Sequence, residues 1–162
     1  MLIYMPMVPE AVFAMLACAR IGAIHSVVFG GFAASELQNR ILDSHPKLIV
    51  TSSCGIEPKG IIKYVPIVKE SLHLAKAETT PCLLVQRHGV YAESHLDANW
   101  FDYFSEMQNM QDQCEPVPLP SNSELYILYT SGTTGSPKGV VRDVGGTVVA
   151  LNWSMDKIMN VH

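Results

Sequence analysis

The sequence predicts an α/β fold with a mainly parallel sheet. Five short apolar runs, Leu2–Met5, Ile24–Phe29, Leu48–Thr51, Cys82–Gln86 and Leu125–Tyr129, alternate with stretches of helical spacing. Strand–helix alternation is the mark of βαβ units. The third run, Leu48–Thr51, is short and apolar enough to be a strand buried on both faces. Apolar residues make up 48% of the 162 residues and charged residues 16%, enough to bury a core and too few charges for disorder.

The first strand, Leu2–Met5, is followed by Pro9-Glu10, which opens a helix: proline suits the first turn, and glutamate favours its positive end. Val12, Phe13, Leu16 and Ala17 are read as its inward face, and Gly22 as its stop. After the second strand, Ser35 is placed as the next helix cap with Gln38 as its capping-box partner. Leu37, Ile41 and Leu42 point inward on that helix, and His45-Pro46 ends it.

The third strand leads into a loop through Gly60, and Pro66 sits in the first turn of a helix running to about Ala77. Beyond the fourth strand, Trp100–Met110 is read as a helix with Trp100, Phe101 and Phe104 in the core. Three prolines make Glu115–Ser123 a connector. The fifth strand is followed by a glycine-rich stretch, and a last helix runs from Thr147 to about Asn160. The chain starts in a strand and closes on a helix, so residues 1–162 are expected to be a piece of a longer chain.

Composition narrows the function. A net charge of -4 gives no general attraction for nucleic acid. The best apolar run, Ala11–Ala19, is far short of the ~20 residues that span a bilayer. Neither a nucleic-acid nor a membrane partner is therefore expected. Cys18, Cys54, Cys82 and Cys114 form no C-x-x-C pair and are read as reduced, buried, small apolar residues. No metal-ligand set is visible. His25, in an apolar strand, is read as a hydrogen-bonded core residue.

The stretch "YTSGTTGSPKG", Tyr129–Gly139, holds five serine and threonine hydroxyls, three glycines and one lysine. Glycines let the backbone approach an anion and turn its N–H groups toward it. Hydroxyls add donors, and Lys138 adds charge. The spacing is not that of a Walker A loop, because Pro137 stands where the pattern requires glycine and Gly139 where it requires serine or threonine after the lysine.

This stretch resembles the phosphate-loop signature of the adenylate-forming superfamily, the AMP-forming acyl-CoA synthetases. "MLIYMPMVPEAVFAMLACARIGAIHSVVFGGFAASELQNRI" resembles the acetyl- and propionyl-CoA synthetase branch. The resemblance implies that residues 1–162 are an incomplete AMP-binding (adenylation) N-terminal domain. It implies ATP with Mg2+, a short-chain carboxylate (propionate or acetate) and coenzyme A as substrates. Thr130, Ser131, Gly132, Thr133, Thr134, Gly135 and Lys138 would hold the ATP phosphates, with Lys138 as the catalytic cation. Phe29 and Gly31 of "FGGF", and Glu57, Pro58, Lys59 and Gly60 of "EPKG", would meet coenzyme A. Relatives read E-P-G-R at that turn, so Lys59 and Lys63 stand in for the arginine.

The resemblance also implies the mitochondrial matrix, with the cytoplasm as the alternative. No oligomeric state is specified. A second class of function stays open: a truncated, non-catalytic product acting as a nucleotide-binding or interaction module.

Overall fold

A computed structural model describes residues 1–130 and 137–161. The main sheet consists of β1 (Leu2–Met5), β2 (Ser26–Phe29), β3 (Ile49–Ser52), β6 (Cys82–Val85) and β7 (Trp100–Asp102), in the order β2-β1-β3-β6-β7. Every pairing in it is parallel. Two antiparallel hairpins flank it: β4 (Cys54–Glu57) with β5 (Gly60–Lys63), and β8 (Glu124–Thr130) with β9 (Lys138–Asp143). The helices are α1 (Pro9–Ile21), α2 (Ala34–Ser44), α3 (Tyr64–Leu74), α4 (Tyr103–Gln108) and α5 (Val144–Lys157).

All four residues of β1 and of β3 are buried, because helices cover both faces. Leu2, Tyr4 and Ile49 point to the layer of α2 and α3, where they meet Leu37, Ile41, Val68 and Leu72. Ile3, Met5 and Val50 point the other way, onto Ala11, Ala14 and Met15 of α1 and Tyr103 of α4. The chain thus winds one way from β1 to β2 and reverses to reach β3. The carboxyl end of β1 lies at that switch, where open α/β sheets bind ligands.

The α/β class is as the sequence predicts, and several local expectations are corrected. On α1 the inward residues are Ala14 and Cys18, while Val12, Phe13, Leu16 and Ala17 are exposed. This helix is apolar on two faces, so periodicity could not choose, and the small-residue face lets it lie close to the sheet. Ser35 does not cap α2: the helix starts at Ala34, and the cap position, Ala33, offers no side-chain bond. Gln38 instead donates Nε2 to the Leu74 carbonyl at the end of α3, 3.1 Å away. Leu42 is exposed.

Trp100–Asp102 is a strand at the sheet edge, and the helix begins only at Tyr103. Asp102 sets that boundary, because its carboxylate accepts from both the backbone N–H and the hydroxyl of Ser105. Trp100 is core as expected, but Phe101 and Phe104 are exposed. The last helix starts at Val144, three residues before Thr147, because Asp143 caps it through the Gly146 N–H. Cys18, Cys54 and Cys82 are buried, whereas Cys114 is exposed. His25 is buried, but its Nδ1 finds no hydrogen-bond partner among the described residues.

The β8–β9 hairpin is attached beside β2. The His25 N–H donates to the Leu125 carbonyl at 3.3 Å, and Ile127 N–H donates to the His25 carbonyl at 2.8 Å.

Candidate functional site

"FGGF" leaves the carboxyl end of β2 and turns at once, with Phe32 N–H donating to the Phe29 carbonyl at 3.1 Å. The Tyr4 hydroxyl, from the middle of the sheet, pins the turn by donating to the Phe32 carbonyl at 2.7 Å. The Phe29 ring stands two-thirds exposed and meets Phe32 edge-on at 5.8 Å.

A groove of about 360 Å³ opens here, walled by Met5 and Met7 at the end of β1, Phe29, Gly30 and Gly31 at the end of β2, and Ile56 and Glu57 of the β4–β5 hairpin. Its size is at the small end for a ligand pocket, enough for one end of an extended substrate. Tyr64 and Arg87 complete it. The buried Tyr64 ring enters between two glycines: a Cβ at Gly30 or at Gly55 would collide with its hydroxyl. Both glycines are explained by this close approach. Burial raises the Tyr64 hydroxyl above its ordinary pKa, Glu57's charge adds to that, and Arg87 partly opposes it. The phenol therefore stays protonated, with Glu57 and Arg87 both within electrostatic reach.

Arg87 follows β6, and its Nη1 donates to the Cys54 carbonyl at 3.2 Å. Its backbone N–H donates to Ser53 Oγ at 3.0 Å, and Ser53 in turn donates to the Tyr91 carbonyl. The guanidinium is thus fixed against the hairpin. No carboxylate pairs with it among the described residues. A planar, always-charged group so placed suits an anionic oxygen.

Phe29, Gly31 and Glu57 are brought together in this groove. Pro58, Lys59 and Gly60 are the exposed tip of the hairpin and do not line it. Lys63 stacks on the Tyr91 ring at 4.4 Å. Arg87 escaped the sequence reading. The available signal was its place immediately beyond the carboxyl end of a parallel strand, where ligand groups gather.

The glycine-rich stretch joins β8 to β9. Thr130 and Lys138 face each other across the hairpin as its last pair, both exposed, and the Thr130 hydroxyl donates to the Lys138 carbonyl at 3.5 Å. Ser131, Gly132, Thr133, Thr134 and Gly135 lie outside the described residues. Among the described residues no group of three or more His, Cys, Asp and Glu side chains is placed to hold a metal ion. No helix there is long and apolar enough to cross a membrane.

A family model described as AMP-binding enzyme matches residues 1–162, the whole chain. The chain belongs to the AMP-binding enzyme family. Among curated AMP-binding relatives, it is 50% identical over 156 residues to acyl-CoA synthetase short-chain family member 3, mitochondrial, of Bos taurus, covering 96% of this chain and 23% of that protein. The Homo sapiens protein of the same name is 49% identical over 156 residues, with the same coverage. Propionate--CoA ligase of Salmonella typhimurium is 47% identical over 158 residues, covering 97% of this chain and 25% of the ligase. The chain thus spans about a quarter of the length of these AMP-binding relatives. In the solved acetoacetyl-CoA synthetase from Streptomyces lividans, 24% of the chain superposes on 99% of this one with a TM-score of 0.86. At 21% sequence identity, that likeness speaks for the fold.

Proposed function

We propose that residues 1–162 form part of an AMP-forming acyl-CoA ligase that activates a short-chain carboxylate, with propionate preferred over acetate. The observation that carries this reading is the family match over the whole chain combined with about half identity to short-chain acyl-CoA synthetases and a propionate--CoA ligase. These residues belong to the adenylation domain. In the first step a carboxylate oxygen bonds to the α-phosphorus of Mg-ATP, and pyrophosphate leaves with the electron pair of the broken P–O bond. In the second step the thiol of coenzyme A, losing its proton, attacks the acyl carbon and AMP departs.

Within this scheme the stretch from Thr130 to Lys138 neutralises the leaving pyrophosphate. Lys138 supplies the cation, and Thr130, Ser131, Gly132, Thr133, Thr134 and Gly135 supply hydroxyl and backbone donors. The groove at the end of β1 receives the nucleotide end of coenzyme A. Phe29 offers a ring face, Gly31 allows close approach and Arg87, rather than Lys59, faces the phosphate. The word "mitochondrial" in the names of the mammalian relatives supports the matrix as compartment.

The test is to incubate the full-length protein with ATP, Mg2+, coenzyme A and either propionate or acetate, and to identify the products. The reading expects propionyl-CoA and AMP, formed faster than acetyl-CoA. ADP and phosphate as products would refute it.

A further inference from the structure

The two candidate sites are joined by a contact that neither of them explains. Arg40, on α2, is almost wholly buried and lies between two rings: its guanidinium carbon is 4.7 Å from the centre of the Phe32 ring and 5.5 Å from that of Tyr129. Phe32 closes the "FGGF" turn. Tyr129 is the residue of β8 just before Thr130. Glu36, one turn back on α2, holds the guanidinium with a carboxylate oxygen 3.0 Å from Nη1.

One turn nearer the end of α2, Asp43 accepts a hydrogen bond from the Tyr129 hydroxyl at 2.5 Å. Burial, followed by that bond and the charge of Asp43, pushes the tyrosine up to about 12, so it remains a donor at any physiological pH. Across the hairpin Tyr129 pairs with Gly139. A Cβ there would stand 3.0 Å from Ile127 Cγ2, 3.3 Å from the Tyr129 ring and 3.6 Å from Asp43 Oδ2. The glycine that ends the "YTSGTTGSPKG" stretch therefore leaves room for the Ile127 side chain and the Tyr129 ring, with Asp43 at ordinary contact distance.

We propose that Arg40 and Asp43 are positioning residues for the phosphate-binding stretch: they grip Tyr129 and so fix Thr130 and Lys138, and the same guanidinium ties this strand to Phe32 at the edge of the coenzyme A groove. The proposal rests on the reading of that stretch given above. None of these side chains touches substrate. A planar cation satisfied by Glu36 and faced by two rings is a rigid spacer between them, which a lysine would not reproduce. The Tyr129–Asp43 bond is charge-assisted and spans 86 residues of sequence, so it fixes the hairpin against the domain where chain connectivity does not.

The experiment uses the full-length protein with Tyr129→Phe, Asp43→Ala and the double variant, none of which leaves a large cavity because Asp43 is exposed. Hydrogen exchange is followed in peptides covering residues 124–130 and 137–143, and KM is measured separately for Mg-ATP and for the carboxylate. Each single variant should speed exchange in the hairpin and raise the Mg-ATP KM, both by about tenfold, the value of one charge-assisted hydrogen bond. Exchange in β1 and β3 and the carboxylate KM should hold. The double variant should be no worse than either single one, because one bond is lost in all three. Unchanged hairpin exchange would overturn the proposal. So would a rise of both KM values together with faster exchange throughout. If the wild-type protein performs no ATP-dependent chemistry, the functional reading falls, while hairpin exchange still decides whether Asp43 holds the strand.

Discussion

The two glycines around Tyr64 allow a prediction worked from distances. In Gly30→Ala the new Cβ would lie 2.9 Å from the Met5 carbonyl oxygen, 2.9 Å from Tyr64 Cζ and nearer still to its hydroxyl. Tyr64 cannot swing aside: it is 2% exposed and its ring lies 5.0 Å from that of Tyr4. Overpacking of this kind costs about 1–3 kcal/mol. Gly30 is not among the left-handed residues, so alanine also restricts the unfolded chain, which returns about 0.4–1 kcal/mol. The net loss is about 1–2 kcal/mol.

At Gly55 all three of the closest atoms belong to Tyr64, whereas at Gly30 one belongs to the Met5 backbone. Tyr64→Phe removes the nearest atom at both sites and should be near neutral alone, since the hydroxyl makes no hydrogen bond among the described residues. Added to Gly55→Ala it should restore part of the lost stability, because the ring carbons Cζ and Cε1 still lie 2.8 and 3.1 Å from the new Cβ, and added to Gly30→Ala less, because the Met5 carbonyl remains as well. Urea denaturation of the full-length variants, monitored through this domain, gives the comparison. A Gly30→Ala protein as stable as wild type, or a Gly55→Ala protein that Tyr64→Phe does not rescue, would refute the packing argument.

Lys138→Ala should slow adenylate formation by roughly a hundredfold, about 3 kcal/mol, while thioester formation from supplied acyl-adenylate changes little. Equal loss in both half-reactions, read by rapid quench, would make the lysine structural. Arg87→Ala should raise the KM for coenzyme A by about tenfold, the value of a hydrogen bond to a charged group, and Lys59→Ala should leave it within about twofold. The reverse ranking would return the role to the hairpin tip. Cys82 is fully buried and burial pushes its thiol up to about 12 from an ordinary 9, so its contribution to stability is complete below pH 9 and lost as pH rises toward 12. Alkylation at pH 8 with peptide mapping should mark Cys114 well before Cys82, and equal rates would contradict the burial assignment.

The parallel sheet was legible because its central strands β1 and β3 are buried on both faces and written as mostly apolar runs. The hairpins were not. β4–β5 is four residues a side around Glu57-Pro58-Lys59-Gly60, and its residues read equally well as a loop. β9 carries lysine, arginine and aspartate on an exposed strand, so periodicity had nothing to report. The strand Trp100–Asp102 looked helical because a helix starts one residue later, and the boundary depends on a capping bond from Asp102. At the site, "FGGF" and Glu57 could be found as local motifs. Arg87 and the Arg40–Asp43–Tyr129 contact could not, since they depend on segments 33 and 86 residues apart that only the fold brings together.

Carboxylate-dependent exchange of labelled pyrophosphate into ATP, measured on the full-length protein without coenzyme A, tests the central claim most directly. The first half-reaction is reversible and needs only ATP, Mg2+ and the acid. The account predicts exchange that requires the carboxylate, is faster with propionate than with acetate, and falls by roughly a hundredfold in Lys138→Ala. Absence of exchange with every short-chain acid, or exchange that does not depend on the acid, would contradict it.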